Sequence, residues 1–161
     1  MEFLFIDRIN QLERNVKISS SRALTLSEEY FQDHFPNFPI MPGVLMLETL
    51  VQAAQWLLRI SQDFKFSSMM VSEVKMVKYA KFVRPGQTLY ADVELKSVED
   101  DKAEFKAKGL VKDATAITAV FKIRFFNIEA TDGGADDLNA ELIKRQKALL
   151  KLIYWPNENA N

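Results

Sequence analysis

Cysteine is missing altogether from the 161 residues, and histidine occurs once. Without thiols the chain has neither disulfides nor thiolate chemistry. With one imidazole, a zinc site would have to be built from carboxylates, so no metal and no bound cofactor is expected. Net charge is nearly absent too: 21 basic side chains face 22 acidic ones, a formal charge of -1. Nucleic acids and anionic membranes are bound through bulk positive charge, so neither is expected as a partner. Nor is there a long hydrophobic run. The most apolar stretch, Val44 to Leu58, is interrupted by Glu48, Gln52 and Gln55 and is too short and polar to span a bilayer. The N-terminal MEFLFIDRINQLERN lacks the basic start, apolar core and small-residue cleavage site of a secretory signal. What remains is the expectation of a soluble cytoplasmic protein with one sizeable core.

Three segments alternate with the period of a half-buried strand. In TLYADVELKSV, Leu89, Ala91, Val93 and Leu95 fall on one side; in AEFKAKGLV, Phe105, Ala107, Gly109 and Val111 do. TAITAVFKIRFF gives Ile117, Ala119, Phe121, Ile123 and Phe125, with the β-branched and aromatic content that strands favour. The short polar joins VEDDKA and KDAT have hairpin length, so three antiparallel neighbours are predicted. FLFIDRI, NVKISSSRALTL and SSMMVSEVKMVKYAKFV are weaker strand candidates, the last ending at the turn signal RPGQ.

A long helix is predicted from about Gly43 to Ile60, with Pro42 at its start, where a missing N–H does no harm. It is apolar almost all round, the mark of an enclosed helix, yet Glu48, Gln52, Gln55 and Arg59 recur at helical spacing along one stripe. After a turn at TDGGADD, Asp137 is the expected N-cap of an amphipathic C-terminal helix whose face carries Leu138, Leu142, Leu149 and Ile153. The pattern as a whole is α+β: six or so strands, one long helix and an appended one.

The stretch DHFPNFPIMPGVLMLETLVQ is where chemistry concentrates. Each proline pushes its predecessor toward extended geometry, so Phe35, Phe38 and Met41 are expected extended in a stiff strap that fixes His34 relative to the helix start. The helix N-terminus points free N–H groups at the space before it, and Gly43 permits close approach of a ligand, so a carbonyl gaining negative charge would be stabilised there. Imidazole accepts a proton near neutral pH, and a carboxyl on an apolar helix is expected to be pushed up by desolvation. Such a base and acid suit removal of a proton beside a carbonyl with departure of a hydroxyl. Blander readings fit the same residues. A lone histidine in a loop is often only a surface group, PNFPIMP is also a packing strap or a ligand for a proline-binding module, and the Glu48 stripe is also the wet side of a helix.

His34-Phe35-Pro36, Pro39, Met41-Pro42-Gly43-Val44-Leu45, Glu48 and Gln52 resemble, in register, the signature of the 3-hydroxyacyl-[acyl-carrier-protein] dehydratases of the FabZ/FabA type. FLFIDRI and KFVRPGQTL resemble two further segments of that family, so the likeness spans about residues 3 to 126. The resemblance implies a hot-dog fold over 1–130, an antiparallel sheet wrapped around the long helix, followed by a linker and helix over 131–161. It implies a homodimer or an assembly of dimers, with each site drawn from two chains. His34 would take the α-proton, Glu48 would protonate the leaving hydroxyl, Gly43 would hold the thioester carbonyl and Gln52 would orient the acid. Val44, Phe35 and Phe38 would line the site and its acyl tunnel. An acidic acyl carrier protein would be the partner, with Lys75, Lys78, Lys81 and Arg84 as candidate docking residues, though a basic strand edge also guards against unwanted pairing. A hot-dog thioesterase and a non-catalytic acyl-binding subunit are the other classes compatible with such a fold. Departures from the family pattern are Asn37 in place of glycine, the shorter RPGQ loop and the extra C-terminal helix.

Overall fold

Apolar side chains at every second position over four long segments force a sheet with one dry face, and that sheet organises the molecule. The computed structural model describes residues 3–129 and 134–156. In chain order the elements are β1 (Arg8–Glu13), β2 (Lys17–Ala23), a short α1 (Tyr30–Asp33), α2 (Gly43–Ser61), β3 (Ser68–Tyr79), β4 (Thr88–Glu99), β5 (Lys102–Val111), β6 (Ala114–Phe126) and α3 (Ala135–Ile153). The six strands form one sheet in the order β1-β2-β4-β5-β6-β3, and every neighbouring pair is antiparallel.

The predicted hairpins are present. Asp100 and Lys112 open the two-residue turns after β4 and β5 with φ of 52° and 54°. The side chains chosen by alternation point inward: Leu89, Ala91, Val93, Phe105, Ala107, Phe121 and Ile123 are buried. They close on α2, which touches β2 through β6 and buries Leu50, Ala53, Ala54 and Leu57 against them. Two adjacent alanines let the helix axis approach the sheet closely, while the tilted rings of Phe105 and Phe121, 5.9 Å apart, fill the space beside it. Burial of one such ring is worth about 1.5–3 kcal/mol.

Gly109 marks the tightest point of this packing. A Cβ there would stand 2.6 Å from Ile117 Cγ2 and 3.0 Å from Leu89 Cδ1. The isoleucine branch sits close to its backbone and gives little, so Gly109→Ala is expected to destabilise the fold by about 1–3 kcal/mol. Urea unfolding would measure this as a fall in midpoint with unchanged slope.

Three expectations need correction. FLFIDRI is a strand only at its end: residues 3–6 run beside the sheet without strand pairing, Asp7 N–H donates to Ser21 O at 2.9 Å, and Phe5 and Ile6 are buried there all the same. The cap of α3 is Gly134, and Asp137 lies inside the first turn. On α3 the expected face holds for Leu142, Leu149 and Ile153, but Leu138 is exposed, and Asn139 and Gln146 turn inward to serve backbone groups. Asn139 Oδ1 accepts from Ile128 N–H at 2.9 Å, its Nδ2 donates to Ile128 O at 2.9 Å, and Gln146 donates to Ser67 O at 2.7 Å. The expected linker residues 131–133 lie outside the described residues. Among the described residues no helix is long and apolar enough to cross a membrane.

Candidate active site

The strap before α2 does not run straight. α1 ends at His34, whose N–H donates to Tyr30 O at 2.9 Å, and the next residue, Phe35, takes φ of 57°. The extended geometry expected of Phe35 is therefore wrong. The chain must reverse after α1, and it does so through a turn closed by Phe38 N–H donating to Phe35 O at 2.7 Å, with Pro36 and Asn37 at its centre. The left-handed residue is Phe35, while Asn37, which stands where the family pattern has glycine, is not at positive φ. For a bulky side chain this conformation costs about 1–3 kcal/mol, stored one bond from the only imidazole.

The reversal brings His34 back over its own strap. Nδ1 lies 3.1 Å from Ile40 O. A carbonyl only accepts, so Nδ1 carries the proton, and in the neutral ring Nε2 then keeps a free lone pair. Met41 N–H donates to Val83 O at 2.8 Å and ties the strap to the segment after β3. Pro42 then caps α2: its carbonyl accepts from Leu45 and Met46 N–H at 3.0 and 3.2 Å. The amides of Gly43 and Val44, ahead of the helix's own ladder, are its first-turn orphan donors.

His34, Phe35 and Gly43 line one cleft of about 390 Å³, together with Met46 and the β3 end from Tyr79 to Phe82. That is the size of a small-molecule site, and most of its wall is apolar. Tyr79 and Met46 were not singled out by the sequence. The signal for Tyr79 was Gly43 itself: a Cβ at Gly43 would stand 3.0 Å from the Tyr79 ring, so the close approach that glycine permits is used by this side chain. Phe38 sits at the rim, its ring edge-on to Phe82 at 6.0 Å and under the Arg84 guanidinium at 4.6 Å. Val44 is 69 % exposed.

Glu48 and Gln52 are not in this cleft. Five residues along an α-helix turn the side chain about 140° from Gly43, onto another face. Gln52 Nε2 donates to Glu48 Oε1 at 2.9 Å and to Phe3 O at 2.9 Å, and its Oε1 accepts from Phe5 N–H at 2.8 Å. The polar seam on α2 thus has a partner: it seats the N-terminal segment and fixes the half-buried Glu48 carboxylate. Within one chain, the imidazole lines the cleft and this carboxylate does not. Among the described residues no group of three or more acidic or histidine side chains is placed to hold a metal.

The FabA-like domain model matches residues 1–120. The chain is 36 % identical over 116 residues to a 3-hydroxyacyl-[acyl-carrier-protein] dehydratase FabZ of Levilactobacillus brevis, covering 72 % of this chain and 78 % of that protein. Identity to the FabZ of Caldanaerobacter subterraneus is 35 % over 127 residues, 79 % of this chain and 89 % of that one. Among solved structures, a chain of the dehydratase heterocomplex ApeI:P from Xenorhabdus doucetiae superposes with a TM-score of 0.64 at 12 % identity, covering 77 % of this chain and 84 % of the other. A hypothetical thioesterase with coenzyme A from Streptococcus pneumoniae gives 0.56 at 12 % identity, covering 73 % and 86 %. At such identities these two show the fold alone, the hot-dog arrangement of the α+β class.

Proposed function

The chain belongs to the FabA-like domain family, and from that premise we propose that it dehydrates 3-hydroxyacyl thioesters carried on acyl carrier protein to trans-2-enoyl thioesters, in fatty acid or related acyl-chain synthesis. The observation that carries the reading is the pairing, in one cleft, of His34 with the Gly43 end of α2. His34 Nε2 takes the proton from the carbon beside the thioester carbonyl, since Nδ1–H is committed to Ile40 O. The Gly43 amide donates to the carbonyl oxygen as it gains charge, aided by the positive end of the α2 dipole. Glu48 of the partner subunit protonates the departing hydroxyl, so water leaves as the C–O bond breaks and the double bond forms. Gln52 holds each Glu48 in its own chain through the 2.9 Å hydrogen bond.

A second chain fits what the cleft lacks. β3 is a free sheet edge, and Phe35, Val44, Tyr79 and Phe82 leave an exposed apolar rim beside it, a surface that a second copy would cover. Val44 and Phe38 then belong to the shared wall and tunnel entrance. Of the basic residues proposed to meet the carrier, Lys81 lines the cleft and Arg84 stacks at its rim. Lys75 is instead paired with Glu104, which leaves Lys81 and Arg84, with the exposed Lys78, as the carrier-facing set. The reading includes a cytoplasmic enzyme whose catalytic part is 1–130, with 131–161 appended.

Incubation with crotonyl and 3-hydroxybutyryl thioesters tests it. Reversible hydration is the expected outcome; release of free thiol would assign a thioesterase, and no turnover of either substrate would assign a binding subunit.

A further inference from the structure

A partly buried ion cluster joins β2 to the N-terminal segment and to the loop before α1, and the chemistry above does not use it. Arg22 on β2, only 15 % exposed in its side chain, donates from Nη1 to Asp7 Oδ1 and from Nη2 to Glu28 Oε1, each at 2.7 Å. Asp7 Oδ2 accepts from Ala23 N–H at 2.7 Å, so this carboxylate is held from both sides. Burial pulls the guanidinium down, and the two carboxylates more than offset it, leaving it raised. The neighbouring Tyr30 hydroxyl is buried without a hydrogen-bond partner and is pushed up to about 12, first by burial and then by Glu28.

Partly buried ion pairs are weak sources of stability, because desolvation and solvent screening cancel most of their attraction. Their better-attested use is to fix one arrangement among several, and the two carboxylates here sit where that matters. Glu28 stands at the start of the turn that carries the imidazole: its carbonyl accepts from Phe31 N–H at 3.1 Å, and Tyr30 O accepts from His34 N–H at 2.9 Å. Asp7 ends the N-terminal segment whose Phe3 and Phe5 backbone is held by Gln52, the residue that holds Glu48. Arg22 is the side chain that bonds to both segments.

We propose that Arg22 is a positioning residue: its two-pronged bond to Asp7 and Glu28 registers the His34 turn against the N-terminal segment and so holds the imidazole in its Nδ1–H form over the cleft. Its kinetic consequence rests on the dehydratase reading; its effect on the imidazole does not. A lysine supplies one compact charge and cannot bridge two carboxylates as the planar fork does, so Arg22→Lys separates charge from geometry. Glu28→Gln keeps shape and removes one prong, as a second variant in case the first fails to fold.

The chain's single histidine gives an unambiguous readout, since the ¹⁵N shifts of one imidazole report its tautomer. In the full-length protein above the imidazole's titration, the wild type is expected to show one protonated and one bare ring nitrogen. In folded Arg22→Lys and Glu28→Gln the two shifts should move toward each other as tautomers mix, with kcat for enoyl-thioester hydration falling by about 10²-fold and KM within about twofold. Wild-type ¹⁵N shifts in either folded variant would overturn the proposal. A wild type that hydrates no enoyl thioester would instead remove the dehydratase reading and leave the imidazole result standing.

Discussion

His34→Ala is expected to abolish hydration of crotonyl thioester, lowering kcat by about 10²–10⁴-fold, the range supplied by a positioned general base. No second histidine exists to take over. The fold has little to lose: His34 is only partly buried, and its ring makes one side-chain hydrogen bond, to Ile40 O. That bond is worth about 1 kcal/mol, so thermal unfolding should shift by a few degrees while initial rates collapse. A variant that retained near-normal turnover would remove His34 from the chemistry.

Glu48→Gln is the complementary case, with an expected loss of about 10²–10⁴-fold in kcat. The amide is isosteric and still accepts from Gln52 Nε2, so the seat of the N-terminal segment is preserved. What disappears is the proton for the departing hydroxyl. Stability should stay within about 0.5 kcal/mol, as for substitutions that leave packing intact. Glu48→Asp keeps the acid and withdraws it by one methylene from the 2.9 Å contact with Gln52, and a misplacement of that order is expected to lower kcat by about 10²-fold. Comparison of the three proteins by initial rates and urea unfolding separates loss of a proton from loss of position. Full activity in Glu48→Gln would leave the acid unassigned.

The sheet was readable because alternation reports burial: the inward residues of β4, β5 and β6 are the ones named from their spacing. The same signal misled at residues 3–6, where Phe5 and Ile6 are buried without strand pairing, since apolar pattern says what is dry and not what is paired. On α3 the leucine stripe marked the inward side at Leu142, Leu149 and Ile153 but missed at Leu138. Backbone groups at Ser67 and Ile128 needed polar partners, and Asn139 and Gln146 were turned inward to supply them. In the site, the proline spacing pointed to a rigid strap but could not reveal that Phe35 would be driven to positive φ, a consequence of reversing the chain after α1. The cluster around Arg22 was invisible for a different reason: Asp7, Arg22 and Glu28 lie on three different segments and have no shared period. The position of Glu48 away from the cleft follows from helix geometry once Gly43 is placed.

Mixing the two inactive proteins addresses the shared site most directly. His34→Ala and Glu48→Gln homodimers are to be dissociated, combined in equal amounts, reassociated and assayed. A mixed dimer whose sites draw on both chains has one intact site of two, and random pairing makes half the dimers mixed, so about a quarter of the wild-type rate should return. If each site were built within one chain, every site in every dimer would lack one group, and a mixture as inactive as its parents, with mixed dimers demonstrably present, would contradict the account.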